Sequence, residues 1–133
     1  MNQYVLDANA VLALFLGEPR GYTVQQLFQA AQVAETSLAM SLLNYGECVY
    51  NIERRYGINA ALKLQASLHI SPLTFYPADE KRVLAAAHIK ARYPLSYADA
   101  FAVALAQELQ ATVVTGDPEF HAVEHLVNVL WLK

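Results

Sequence analysis

The sequence is poor in the residues that would take it out of the ordinary globular class. It has one cysteine, Cys48, so no internal disulfide can staple it, a usage that suits a reducing cytoplasm. Charge is sparse: 16% of its 133 residues, 12 acidic against 9 basic, for a formal −3. A disordered chain needs few apolar residues and high net charge, whereas 56% of this one is hydrophobic. The acidic balance also speaks against holding nucleic acid by net attraction alone. Long apolar runs are missing. No clean run exceeds seven residues, as at Ala10 to Leu16, against the roughly 18 that a membrane-spanning helix takes. Met1-Asn2-Gln3 lacks the basic start and long apolar stretch of a secretory signal, so a cytoplasmic protein without membrane contact is expected. Glycine and proline number five each and form no linker. No charge block or repeat divides the chain. A single domain over residues 1–133 is expected, able to bury about two-thirds of its unfolded surface. There is no Gly-x-Ser-x-Gly and no phosphate-binding Gly-x-x-x-x-Gly-Lys-Ser/Thr, and Cys48 has no evident activating histidine.

What is present is an alternation of short apolar runs and helical patterns. Tyr4-Val5-Leu6, Ser37–Met40, Leu73–Tyr76, Thr112–Thr115 and Asn128–Leu132 read as strands. Between them, helices are expected over Ala8–Leu16, Tyr22–Ala34, Leu42–Tyr56, Ala60–Ile70 with Asn59 as cap, Pro77–Arg92 and Ser96–Gln110. A short helix follows Asp117-Pro118. Strands separated by helices imply an α/β fold, a small and mostly parallel sheet with helices on both faces. Strand order is not legible from this pattern.

Seven carboxylates, Glu18, Glu35, Glu53, Asp79, Glu80, Glu108 and Glu124, fall on helix ends or polar faces, where solvation explains them. Four others do not fit that description. Asp7 and Asp117 each follow a strand's carboxyl end, where open α/β sheets bind ligands. Asp99 has Ala102, Val103 and Ala106 at helical spacing, and Glu47 has Leu43, Gly46 and Tyr50, so both lean inward. Each has an ordinary use. Asp7 and Asp117 suit helix caps, Asp99 a cap or a pair with Arg92, and Glu47 a pair with Arg54 on the same face. Together, though, several inward carboxylates without inward cations are costly, and a divalent cation offsets that cost. Oxygen-only donors select a hard ion, Mg²⁺ or Mn²⁺. Such a cluster suits phosphoryl chemistry, where metal rather than a nucleophilic side chain activates water.

At these residues the sequence resembles the PIN-domain ribonucleases, specifically the VapC-like toxins of toxin–antitoxin pairs. The resemblance rests on Val5-Leu6-Asp7-Ala8-Asn9, on Glu47 with Arg54 or Arg55, on Leu95-Ser96-Tyr97-Ala98-Asp99-Ala100-Phe101, and on Thr115-Gly116-Asp117-Pro118-Glu119-Phe120. These motifs span nearly the whole chain in the family's order. Asn9 departs from the commoner Thr or Ser. The resemblance implies a Mg²⁺- or Mn²⁺-dependent endoribonuclease with Asp7, Glu47, Asp99 and Asp117 as catalytic and metal residues, and Asn9, Thr115 and Arg54 as accessories. It also implies an RNA substrate, a homodimer, and an antitoxin whose tail covers the groove. Two other readings of the same residues stay open: a PIN-like scaffold that binds RNA or protein without cleaving it, and a phosphohydrolase of small esters.

Other features point less sharply. His121 and His125 have a zinc-compatible i, i+4 spacing but no third ligand. Arg54-Arg55 and the group Lys81, Arg82, Lys90 and Arg92 could hold phosphates or lie on solvated faces. Tyr45, Tyr50, Tyr93 and Tyr97 lie near the motif acids, where packing competes with base stacking as their use.

Overall fold

A computed structural model describes residues 2–133. Its elements are β1 (Asn2–Leu6), α1 (Ala8–Phe15), α2 (Gly21–Gln32), β2 (Thr36–Ser41), α3 (Leu42–Tyr56), α4 (Ile58–His69), β3 (Leu73–Tyr76), α5 (Glu80–Lys90), α6 (Tyr97–Leu109), β4 (Thr112–Thr115), a 3-10 helix (Pro118–Val123) and β5 (Val129–Trp131). The strands form one sheet in the order β3-β2-β1-β4-β5, and every pairing is parallel. The expected mostly parallel sheet is therefore wholly parallel. Its five carboxyl ends all face one rim, with β1 at the centre between β2 and β4.

Both faces of the sheet are covered, as its apolar strands require. Val5, Ala39 and Val113 face a layer built by α5, α6 and the 3-10 helix. Leu6, Leu38, Met40 and Val114 face a layer built by α1 to α4. Eight consecutive residues of α6, Asp99 to Ala106, are buried, so this helix is apolar all round and lies inside the molecule.

Several boundaries move. Pro77 does not open α5. Asp79 caps it by accepting from the Arg82 amide, and the helix starts at Glu80. Asn59 does not cap α4 but lies exposed in its first turn, because Gly57 at φ +92° ends α3 and starts α4 at once. Tyr22 is preceded in α2 by Gly21, which packs so closely on the Ala13 carbonyl that a Cβ there would overlap it.

Candidate functional site

At the carboxyl rim of the central strands lies a cleft of about 430 Å³ lined by Asp7, Glu47, Asp99, Asp117 and Glu119. Asp7 comes directly off β1 and is 1% exposed. Its Oδ1 accepts from the Ala10 amide at 2.9 Å, so the capping role is real. Its Oδ2 accepts from the Thr115 hydroxyl. Capping and site membership are thus one arrangement, because a carboxylate has lone pairs enough for both.

The turn after β4 is held from three sides. The Thr115 Oγ1 accepts from the Asp117 amide at 3.0 Å, Asn9 Oδ1 accepts from the Gly116 amide at 2.8 Å, and the Thr115 carbonyl accepts from the Leu132 amide at 2.8 Å. Asp117 then caps the 3-10 helix through the Glu119 amide. Asn9 thus acts through its side chain as the acceptor for a backbone amide. On the other wall Ser41 caps α3 and Ser96 caps α6. Asn44, fully buried, donates to the Ala98 carbonyl at 3.1 Å, tying the helix of Glu47 to the start of the helix of Asp99.

One oxygen each of Asp99, Asp117 and Glu119 falls within a common 4.8 Å. Asp7 and Glu47 complete the cleft. Among the described residues no lysine or arginine lines it. Setting these five acids aside leaves seven against nine basic residues, so the acidic surplus of the chain sits in this cleft.

The electrostatics follow. Burial pushes the Asp7 carboxyl up to about 7, against the help of its Thr115 and Ala10 hydrogen bonds, with Asp117 and Glu47 adding to the rise. Asp99 is pushed up to about 8, by burial first, then by a shared hydrogen bond with Glu119 and the charges of Asp7 and Asp117. Glu47 is raised by burial and by Asp117. Carboxylates that resist ionisation in one pocket are the expected result of desolvation plus like charge. The donor set fits a hard divalent cation, which would supply the missing positive charge. Asp7, Glu47, Asp99, Asp117 and Glu119 are the residues able to hold one.

Four of the anticipated acids are therefore brought together, with Asn9 and Thr115 bracing them. Arg54 is not. Its guanidinium lies over the Tyr50 ring, 5.2 Å from the centroid, and it makes no ion pair with Glu47 among the described residues. Residues seven apart on α3 lie two turns from one another along the axis, and the nearer aromatic face takes the cation. Arg92 meets His88 rather than Asp99. Arg82 is engaged by Glu108 and Asp79. Tyr45 packs on His69 and Phe75, Tyr93 on His125, and Tyr97 on Phe101. His121 stacks on Trp131 and pairs with Glu124. Sequence reasoning passed over Glu119 and Asn44. The signals were there: Glu119 stands two residues after Asp117, and Asn44 is a polar residue one turn before Glu47.

Five acids on the rim of a β3-β2-β1-β4-β5 parallel sheet are a distinctive combination, and the PIN-domain family model matches residues 4–126. The chain belongs to the PIN-domain family. No curated protein sequence matches it. Three solved structures share the PIN fold over nearly the full length of both chains. VapBC2 of Rickettsia felis, bound to a DNA fragment from its promoter, has a TM-score of 0.77 at 15% identity, covering 98% of this chain and 99% of that one. The sarcin-ricin loop cleaving toxin VapC20 of Mycobacterium tuberculosis has 0.75 at 19%, covering 90% and 94%. A toxin–antitoxin complex from Klebsiella pneumoniae has 0.69 at 17%, covering 98% of each. Among the described residues no helix is long and apolar enough to cross a membrane.

Proposed function

We propose that this PIN domain is a metal-dependent endoribonuclease acting as the toxin of a toxin–antitoxin pair. The observation that carries the reading is the convergence of five carboxylates, two of them pushed up to about 7 and 8, in a cleft that no lysine or arginine among the described residues lines. Such a cluster costs folding energy unless a ligand offsets it. Asp7, Asp99, Asp117 and Glu119 would hold Mg²⁺ or Mn²⁺. When bound, the ion supplies polarisation of the phosphate and acidification of water.

The remaining roles fall to the chain itself. Glu47 is half-buried, raised, and set on the α3 wall across the cleft, so it takes the proton of the attacking water or supports a second ion. Thr115 and the Ala10 amide fix the Asp7 carboxylate. Asn44 fixes the distance between the Glu47 and Asp99 helices. The solved relatives with antitoxins support a protein partner for this chain, and we include a homodimer and a cytoplasmic setting in the proposal.

The test is cleavage of a structured RNA by the purified protein with Mn²⁺ or Mg²⁺, set against chelator and against Asp99→Asn. Cleavage with metal, lost in chelator and in the variant, is expected. Full cleavage by Asp99→Asn, or no detectable Mn²⁺ binding at millimolar concentration, overturns the reading.

A further inference from the structure

We propose that Arg20 is a substrate-positioning residue whose guanidinium takes a backbone phosphate of the RNA beside Asp117. The proposal rests on the endoribonuclease reading above. An RNA strand brings one negative charge per nucleotide to a cleft whose own side chains are acidic, so a cation at its edge helps to seat the backbone. Of the basic residues picked from the sequence, Arg54 and Arg55 lie over tyrosine rings, Arg82 is bound by two acids and Arg92 meets His88.

Arg20 is brought to the site by a tightly built corner. After α1 the chain turns at Gly17, φ +68°, and the Glu18 amide returns to the Ala13 carbonyl at 3.0 Å. Gly21 closes the corner, its amide donating to the Glu18 carbonyl at 2.9 Å, against an α1 backbone that leaves no room for a Cβ. Arg20, the residue before α2, then crosses to the turn after β4. A Cβ on Gly116 would lie 2.6 Å from Arg20 Nη1 and 2.9 Å from Asn9 Oδ1. Glycine at 116 is what lets the guanidinium rest on this turn. Asn9 lines the acidic cleft and Gly116 directly precedes Asp117.

The guanidinium is aimed but not consumed. Nε donates to Glu18 Oε1 at 3.0 Å, which sets its plane, and the side chain is 30% exposed. Neither Nη amino group donates to a protein oxygen among the described residues. A latch for the turn would bond to it. This guanidinium only touches it and keeps its two-pronged end for an oxyanion, the geometry that suits phosphate.

The experiment measures binding of a fluorescent single-stranded RNA in chelator, over a series of salt concentrations, for wild type, Arg20→Gln and Arg20→Lys. In parallel it measures Mn²⁺ affinity, Tm, and kcat and KM with metal. Arg20→Gln is expected to bind RNA about 5- to 10-fold more weakly, with a log–log salt slope smaller by about 0.7, the value of one lost single-strand phosphate contact. KM should rise by a similar factor while kcat changes less than about twofold, Mn²⁺ affinity and Tm stay put, and Arg20→Lys restores the salt slope. Wild-type affinity and slope in Arg20→Gln, from a protein that cleaves RNA, overturns the role of Arg20 alone. A joint fall of Tm, Mn²⁺ affinity and RNA affinity overturns it in favour of a structural latch. A wild-type protein that neither binds nor cleaves RNA overturns the endoribonuclease reading and this proposal with it.

Discussion

The hydroxyl of Thr115 donates to Asp7 and accepts from the amide of Asp117. One small buried side chain thus joins the first acid of the chain to the last strand-end acid. It orients the Asp7 carboxylate and fixes the turn that carries Asp117.

Thr115→Val keeps the shape and removes both bonds. The Asp117 amide loses its partner and Asp7 loses a donor, so a loss of about 1–3 kcal/mol of stability is expected. A denaturant titration measures it, and Mn²⁺ affinity should fall in the same protein. An unchanged midpoint would show that the hydroxyl braces nothing.

Glu119 was not among the anticipated site residues, yet one of its oxygens lies within 4.8 Å of oxygens of Asp99 and Asp117. Glu119→Gln should weaken Mn²⁺ binding by about tenfold or more, the scale seen when groups that support a metal site are removed. Calorimetric titration of Mn²⁺ into the variant decides the point. Equal affinity would confine Glu119 to its hydrogen bond with the Ser96 amide.

Stability without metal should depend on pH in an unusual direction. Asp7 and Asp99 have an ordinary value of 3.8 in the unfolded chain and are pushed up to about 7 and about 8 in the fold. Between roughly pH 4 and 8 the folded protein therefore holds protons that the unfolded chain has released, and stability falls as pH rises through that window. In chelator the Tm should be higher at pH 5 than at pH 8, by about 5 °C or more. Mn²⁺ binds the ionised carboxylates, so its stabilising effect should grow over the same window. A chelated protein whose Tm is level from pH 5 to 8 contradicts this.

Gly21→Ala should destabilise the domain by about 1–3 kcal/mol, because the new methyl meets the Ala13 carbonyl and the corner must open. Gly46→Ala, whose Cβ meets nothing, is the control, and should not lower the Tm. Thermal melts of the pair separate a packing constraint from a general intolerance of helix changes.

The strands were legible because buried parallel strands are short, apolar and flanked by helical periodicity, and Leu73–Tyr76 and Thr112–Thr115 fall at their expected residues. So does α3, which Gly57 stops. The four acids stood out because each interrupts a stretch that packs inward. What stayed hidden depends on neighbours distant in the chain. The strand order is set by pairings such as Tyr4 with Thr112. Arg54 matched Glu47 in spacing, but the Tyr50 ring captured it. Arg20 was not singled out in the sequence, and only the bare Cα of Gly116, in a different part of the chain, reveals where its guanidinium lies.

The central pairing of β1 with β4 has a kinetic side. Asp7 and Thr115 are 108 residues apart, so almost the whole chain must be closed into a loop before their bond can form. The acidic rim is thus expected to assemble late, after the local helix pairs. A ligand that needs the finished rim gives no help to the folding transition state and acts on the escape from the native state. Mn²⁺ should leave the refolding rate nearly unchanged and slow unfolding, so that its whole stabilisation is read on one arm of the chevron.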